Sequence, residues 1–348
     1  MTALPDLGWD SGRDTEFAPF ADTCVPGRVA RPDKGSYLLL TADGPVRAEV
    51  SGALRHAAAD ATALPTVGDW VAERSGLIEA VLPRRTAFVR HGSANAAVGQ
   101  VLAANVDVVF VVVALATAPN LRRLERFLAL AWESGAQPVV LLTKSDLCDE
   151  LPGVTTAVMS AAPGAPVHPV SSLTGEGLDD VRSYLSPGVT VVLLGASGVG
   201  KSTLANRLLG ATHLATTAIR DDGKGRHTTT HRELIPLPGG AVLIDTPGLR
   251  GLQIWDAEEG IERAFPEVEA LVARCRFADC AHRTEPDCAV LEALASGELD
   301  PRRWESHQKL QRELRHVAAK TDVRLRHEDR DRWKAIHKAM RARGAFRP

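Results

Sequence analysis

The chain has 348 residues and a mass of 37.2 kDa; 45% of it is hydrophobic and 24% charged, an ordinary globular composition that excludes a wholly disordered chain. At ~150 residues per domain it has room for about two or three domains. No internal period appears, and the longest clean apolar run, residues 108–116, falls short of the ~18 residues a membrane span needs.

The first twenty residues carry Asp6, Asp10, Arg13, Asp14 and Glu16 and no apolar core. A secretory signal is therefore not expected, and the cytoplasm is the expected compartment. Five cysteines, three of them crowded between 275 and 288, favour a metal site over disulfides in such a chain. The formal net charge of -2 hides an asymmetry: residues 301–348 hold 15 Lys and Arg against 6 Asp and Glu, a balance of +9 that leaves -11 for the remainder. A basic segment beside an acidic body points either to a polyanion such as nucleic acid or to a solvated helical surface.

Residues 28–31, 36–41, 46–50, 69–74, 77–81 and 86–90 read as short strands, punctuated by Gly27, Gly35, Gly44, Gly52 and Gly68. Five or six such strands suit a small barrel, of which the OB-fold is one, either structural or in contact with nucleic acid. From about residue 100 the pattern changes. Residues 106–115, 138–143, 166–170 and 190–195 read as buried strands, with helical spacing over 120–134 and 178–185 and a helix starting at Lys201. Residues 233–236 and 241–245 add two further strands. Alternating strands and helices indicate an α/β domain with a parallel sheet, whose ligands bind beyond the carboxyl ends of the strands. Two basic helical stretches, 301–320 and 328–343, close the chain.

The sequence Gly195-Ala196-Ser197-Gly198-Val199-Gly200-Lys201-Ser202 fits a phosphate loop between a strand and a helix. Its backbone N–H groups would cradle phosphate oxygens, Lys201 would reach the β- and γ-phosphates, and Ser202 would offer its hydroxyl to Mg²⁺. Thr203 follows in the same helical turn. Downstream, Asp245-Thr246-Pro247-Gly248 ends a buried strand; Asp245 suits the Mg²⁺ shell or a strand-end turn, and Gly248 can donate its N–H to a γ-phosphate. The polar stretch 221–232 between them reads as a nucleotide-ordered loop, with Thr228, Thr229 and Thr230 as candidate Mg²⁺ partners and Thr229 as the choice among them.

A guanine site is expected around Thr143-Lys144-Ser145-Asp146. A carboxylate at Asp146 can accept from guanine N1–H and N2–H, donors that adenine lacks in that arrangement. The alternative is a helix N-cap. Ser171 and Ser172, after the next strand, can present a backbone N–H to guanine O6. These base elements precede the phosphate loop, the reverse of the ordinary GTPase order, and circular permutation is the simple reading. Leu249 stands where Ras-like enzymes place a water-orienting glutamine, so His227 is the nearest substitute; alternatively it contacts RNA or solvent. Cys275, Cys280, His282 and Cys288 supply a closed three-thiolate, one-imidazole shell suited to structural Zn²⁺. Trp304 and Trp333 either stack on bases or pack, and packing is the expectation.

Taken together, Thr143-Lys144-Ser145-Asp146, Gly195 to Ser202, Gly225-Arg226-His227-Thr228-Thr229-Thr230, Asp245 to Gly248 and the cysteine cluster resemble the circularly permuted, small-subunit-dependent GTPases of the RsgA or YjeQ family. The resemblance spans nearly the whole chain. It implies an N-terminal tail (1–20), an RNA-binding OB-fold (21–92), a circularly permuted α/β P-loop GTPase domain (93–255) and a C-terminal α-helical zinc-binding domain (256–348). It further implies GTP hydrolysis stimulated by the small ribosomal subunit, a role late in that subunit's assembly, ribosomal RNA as partner, one structural Zn²⁺ per chain, Mg²⁺ with GTP, and His227 as the catalytic residue. No membrane partner is expected, and a monomer is. Thr143 takes the place of the asparagine of the general GTPase base motif. A non-ribosomal P-loop ATPase and an RNA-binding module gated by nucleotide remain the alternatives.

Overall fold

The computed structural model describes residues 3–90, 99–210, 232–246 and 257–321, the last six by their backbone. The N-terminal strands β1 (Val25–Pro32), β2 (Tyr37–Thr41), β3 (Gly44–Val50), β4 (Trp70–Arg74) and β5 (Leu77–Val81) form a closed barrel in the order β1-β2-β3-β5-β4. β4 returns to β1, with Arg28 opposite Trp70, and β3 pairs parallel with β5. Alternate side chains point inward, so Val29, Leu39, Ala48, Val71 and Ile78 fill the interior.

The sixth expected strand does not belong to this barrel. It is β6 (Ala87–Arg90), which pairs antiparallel with β7 (Gln100–Ala104) in a separate two-stranded ribbon. The β1–β4 pairing already closes the barrel and leaves no edge for it.

Residues before the barrel are structured rather than trailing. A 3₁₀ turn (Leu4–Leu7) and α1 (Ser11–Phe17) bury Leu7, Phe17 and Arg13, although their sequence is rich in charge. Arg13 donates to Pro83 O at 2.7 Å and to Asn105 Oδ1 at 2.8 Å. The fully buried Arg28 of β1 donates to Leu7 O, to Asn105 O at 3.2 Å and to Thr190 Oγ1 at 2.8 Å. These arginines tie the N-terminal segment and the barrel to the following domain through carbonyl, amide and hydroxyl oxygens of other segments, and Arg13 also pairs with the Glu16 carboxylate of its own helix at 2.5 Å. Burial pushes the Arg28 guanidinium down to about 10, so it keeps its charge at neutral pH.

The six-stranded sheet runs β10-β9-β8-β11-β13-β12, built from β8 (Val108–Ala114), β9 (Gln137–Thr143), β10 (Val167–Val170), β11 (Thr190–Leu194), β12 (Glu233–Pro236) and β13 (Val242–Asp245). All neighbours are parallel except β12, which lies antiparallel at one edge. The Val- and Leu-rich strands are buried on both faces, as a sheet sandwiched by helices requires. After α2 (Gly52–Ala57) in the barrel come α3 (Leu121–Glu133), capped by Asn120, then α4 (Leu151–Ala161), α5 (Leu178–Arg182) and α6 (Lys201–Leu209).

Beyond the sheet lie α7 (Glu258–Ala264), α8 (Pro266–Val272), α9 (Ala289–Ser296) and α10 (Pro301–Thr321). They pack on α3 through a buried polar knot. Arg303 donates to Glu125 Oε1 at 2.9 Å, to Glu267 Oε1 at 2.7 Å and to Ala264 O at 2.9 Å, and Ser306 donates to the other oxygen of Glu125. The expected helix over 328–343 lies outside the described residues. Among the described residues, no helix is long and apolar enough to cross a membrane.

Candidate functional site

The carboxyl ends of β8, β9 and β10 stand level with one another, and β11 ends three residues earlier on the same side of the sheet. Ala114 of β8 is opposite Thr143 of β9, Thr143 is opposite Val170 of β10, and Leu194 of β11 is opposite Val111 of β8. The loops that leave these ends therefore emerge along one rim of the sheet.

Residues 195–200 connect β11 to α6. A side chain at Gly195 would place its Cβ 2.5 Å from Val112 O, so only glycine lets the loop leave the strand this close to β8. Gly200 caps α6 at φ +100°, a left-handed conformation that turns the chain into the helix. Lys201 is buried at the start of α6, and its Nζ donates to Gly195 O at 2.8 Å and Ala196 O at 2.5 Å. Ser202 is half-buried, and Thr203 lies on the exposed side of the same turn. Ser197, Gly198 and Val199 complete the loop. Asp245 ends β13, the strand beside β11, and is half-buried at the rim.

The loop after β9 carries Thr143 to Asp146. Lys144 adopts φ +58°, which reverses the chain so that Ser145 and Asp146 begin a 3₁₀ turn (Ser145–Leu147). Thr143 is buried, and its hydroxyl proton goes to Val199 O at 2.5 Å rather than to Val113 O at 3.3 Å. This bond joins the Asp146 loop to the phosphate-loop segment. On the other side, fully buried Ser171 donates to Asp146 Oδ1 at 2.5 Å and accepts from Thr174 N at 3.1 Å. Ser172, next in the chain, accepts from Arg207 Nε of α6 at 3.0 Å. Leu173 projects into solvent, 80% exposed. Three sequence segments that are far apart along the chain thus meet at one rim.

Sequence reasoning missed Arg207. It is an exposed cation in the last turn of a helix, and nothing in its spacing sets it apart from a surface residue. His227, Thr228, Thr229, Thr230, Gly248 and Leu249 lie outside the described residues.

The cysteine cluster sits between α8 and α9. The ligand atoms of Cys275, Cys280, His282 and Cys288 all lie within 4.8 Å of one another. Cys275 Sγ is 3.8 Å from Cys288 Sγ and 3.6 Å from His282 Nδ1, and Cys288 Sγ is 3.5 Å from the same nitrogen. A tetrahedron with Zn–S of ~2.3 Å and Zn–N of ~2.05 Å has edges of about 3.8 Å and about 3.6 Å, so these donors fit that shell. Burial lowers the His282 imidazole below its ordinary range, which favours the neutral, ligating form. At Cys275 burial acts to raise the thiol, but hydrogen bonds from the backbone of Val290 and Ala289 help to outweigh it and bring it below its usual value. The cluster could bind a metal ion. Its His282 ring meets Trp304 edge-on at 5.5 Å, and Trp304 stacks on His307 at 5.6 Å. Trp304 packs, as expected; Trp333 lies outside the described residues.

Comparison with known proteins agrees with this arrangement. The family model described as RsgA GTPase matches residues 81–255, half of the chain. A protein of Streptomyces avermitilis named small ribosomal subunit biogenesis GTPase RsgA is 54% identical over 95% of this chain and 91% of its own length. The chain belongs to the RsgA GTPase family. A relative of the same name from Methanosarcina acetivorans is 40% identical over 94% of this chain and 90% of its own. A second family model, 50S ribosome-binding GTPase, matches residues 190–321. The crystal structure of YjeQ from Thermotoga maritima superposes with a TM-score of 0.62 at 28% identity, covering 83% of this chain and 98% of that one. The crystal structure of YloQ, described as a circularly permuted GTPase, superposes with a TM-score of 0.61 at 23% identity over 84% and 96% of the two chains, a likeness of fold. Membership explains the order of the motifs. Strand ends position the loops, and the permuted chain still brings β9 and β10 to the same rim as β11.

Proposed function

We propose that this chain hydrolyses GTP to GDP and phosphate as a late maturation factor of the small ribosomal subunit, with its turnover stimulated by that subunit. The observation that carries the reading is the Thr143–Val199 hydrogen bond at 2.5 Å. It places the loop of Asp146 against the loop of Lys201, so that one nucleotide spans both. The names of the close relatives support the ribosomal assignment.

In this reading Asp146 accepts from guanine N1–H and N2–H, the Lys144 stem lies along the base face, and the segment Ser171-Ser172 offers a backbone N–H to O6. Gly195, Ala196, Ser197, Gly198, Val199 and Gly200 surround the phosphates with N–H groups, and Lys201 neutralises the β- and γ-phosphates. Thr203 and Gly248 complete the phosphate contacts. Ser202, Thr229 and Asp245 are hard oxygen donors of the type that holds Mg²⁺, which when bound offsets charge on the phosphate oxygens. His227 orients or deprotonates the attacking water. The Cys275, Cys280, His282 and Cys288 shell holds one structural Zn²⁺, and all four positions are protein donors, so it leaves no place for substrate. The barrel and the basic C-terminal segment contact ribosomal RNA through its phosphates. The factor acts in the cytoplasm as a monomer.

GTP turnover measured with and without purified small subunits tests the reading. Slow turnover alone and a large increase with subunits is the expected result. No stimulation by any ribosomal particle overturns it, and tighter binding of ADP than of GDP removes Asp146 as the base reader.

A further inference from the structure

We propose that Arg31 of the barrel and Glu233 at the head of β12 are positioning residues. They form an ion-pair clasp through which the barrel, once seated on the small subunit, steadies the rim of the sheet for stimulated hydrolysis. The inference rests on the subunit-stimulated GTPase proposed above and adds to it a route from barrel to rim.

The clasp exists because β1 is irregular. Val29 pairs with Leu39 and Arg31 with Leu38, so Ala30 is an extra residue, a β-bulge. Val29 and Leu39 fill the barrel interior. In a regular strand Arg31, two residues beyond Val29, would point there as well. The bulge sets it opposite Leu38 instead, and Leu38 and Ala30 pack outside the barrel against the core shared with the sheet. From there the Arg31 guanidinium donates to Glu233 Oε1 at 3.1 Å and to Asp33 of its own barrel at 3.0 Å.

Glu233 carries the contact to the rim. It opens β12, and its partner in register on β13 is Asp245, at the carboxyl end of that strand. In the chain it directly follows the stretch 221–232, which holds His227 and Thr229.

β1 thus meets the following domain at two joints of different character. Fully buried Arg28 donates to Asn105 O at 3.2 Å and to Thr190 Oγ1 at 2.8 Å, at the foot of the sheet where β11 begins. The Arg31–Glu233 pair lies at the opposite end, with the two side chains 27% and 42% exposed. Water competes there, and the pair is weak. Arg31 also has Asp33 as a second carboxylate, and Asp33 accepts from Arg47 at 2.8 Å. Arg31 therefore keeps a counter-ion when Glu233 lets go, so opening costs little. A firm joint at the foot and a weak one at the rim let a load on the barrel be felt beside Asp245.

The experiment uses the full chain and purified small subunits. It reads turnover without subunits, the plateau rate at saturating subunit, and the subunit concentration that gives half of that plateau. Glu233→Gln keeps the shape and removes the charge. It should leave subunit-free turnover unchanged and lower the plateau about two- to fivefold, the reach of a partly exposed ion pair. Arg31→Gln should do the same. The double variant should lose no more than either single one, because both changes remove one bond. Residues that only met RNA phosphates would behave differently: loss of Arg31 would raise the half-plateau concentration, and loss of the acid at Glu233 would lower it. Residues that only supported the fold would lower subunit-free turnover by the same factor. An unchanged or raised plateau, additive losses in the double variant, or an equal fall without subunits overturns the clasp and leaves the GTPase reading intact. Absence of any stimulation of the wild-type chain sinks the reading itself, and the clasp with it.

Discussion

The Ser171 hydroxyl donates to Asp146 Oδ1 at 2.5 Å and thereby links the loops after two neighbouring strands, β10 and β9. An ionised carboxylate has about four acceptor positions. The bond from Ser171 uses one, fixes the rotation of the group, and leaves capacity for two N–H donors on the edge of a purine. Ser171 is itself held, because its oxygen accepts from Thr174 N.

From this pairing, Asp146→Asn should lower GTP affinity by about two orders of magnitude, since an amide presents one donor group where the base also presents donors. The same variant should gain affinity for xanthosine triphosphate, whose 2-oxo group accepts where guanine donates. Competition binding with the two nucleotides measures both changes. Equal loss for both would mean that Asp146 does not face the base.

Much of this site was legible from the chain alone, and the reason is local. A phosphate loop needs glycines at particular positions, and Gly195 and Gly200 meet that need against Val112 O and at φ +100°. The cysteine spacing identified four donors that do converge. The parallel sheet followed from the alternation of buried strands and helices; the short strands were readable from their glycine punctuation, which suited a barrel without fixing one. What escaped was set by tertiary contact. Nothing in the local sequence marks Arg13 and Arg28 as buried, yet both lie against oxygens from distant segments. β7 was missed, and β6 misplaced, because a two-stranded ribbon has no pattern distinct from one more barrel strand. Arg207 and Arg303 owe their roles to partners 35 and 178 residues away, Ser172 and Glu125, which no window of sequence displays.

The Arg303–Glu125 pair yields a stability prediction. Both side chains are buried where α10 meets α3, and Glu125 also accepts from Ser306. Removing one member leaves a buried charge without its counter-ion. Arg303→Ala should cost about 3–5 kcal/mol, with added loss from the contact of its guanidinium with the Phe265 ring. Replacing both partners with apolar residues of similar volume should cost much less than the single change. Denaturant titration of the single and double variants measures this; equal costs would place the stabilisation in packing alone.

Asp10 gives a pH dependence with a definite sign. It caps α1 and forms two bonds to Arg85, at 2.5 and 2.8 Å. The Arg85 hydrogen bond, opposed by burial and aided by the backbone N–H of Arg13, holds this carboxyl well below its ordinary value of 3.8. A depressed carboxylate stabilises the fold above its unfolded pKa, and that contribution disappears as pH falls through the folded one. The N-terminal segment should therefore loosen in acid below about pH 4. Asp10→Asn should be less stable than wild type at neutral pH and should converge with it in acid. Thermal melts across this window measure the convergence. A gap that stays constant with pH would assign the loss to the helix cap rather than to the ion pair.

For the cysteine cluster, metal analysis of the purified chain should return one zinc per chain, and Cys288→Ser should reduce that occupancy. The His282 ring lies edge-on to Trp304, which stacks on His307, and His307 bonds Glu269 at 2.9 Å. Loss of the metal should therefore be felt along α10, as added proteolytic sensitivity there and a change in tryptophan emission that Trp304→Phe abolishes. The face of the sheet that packs on α5 and α6 has its own core, whereas the other face shares its core with Cys288. Since α6 carries Lys201, GDP binding should survive chelation in large part. Full loss of GDP binding on chelation would show that the cluster supports the whole molecule.

The water-activating group is the last and sharpest question for chemistry. Leu249 has no hydrogen-bonding atom in its side chain, so that side chain cannot orient water as a glutamine would. A neutral imidazole at His227 can accept the proton or align the attacking oxygen near physiological pH, and general-base assistance is worth about 10²–10⁴ in rate. His227→Ala should therefore lower single-turnover GTP hydrolysis on small subunits by about 10²-fold or more, while GDP affinity, which the proposed reading assigns to Asp146 and the phosphate loop, should stay put. The separation matters because a loop histidine that served only to bind RNA would act differently. It would weaken association with the subunit and leave the rate at saturating subunit untouched. Measuring the rate at several subunit concentrations separates the two. An undiminished plateau would move water activation to the ribosome and make this chain a nucleotide-gated RNA-binding factor.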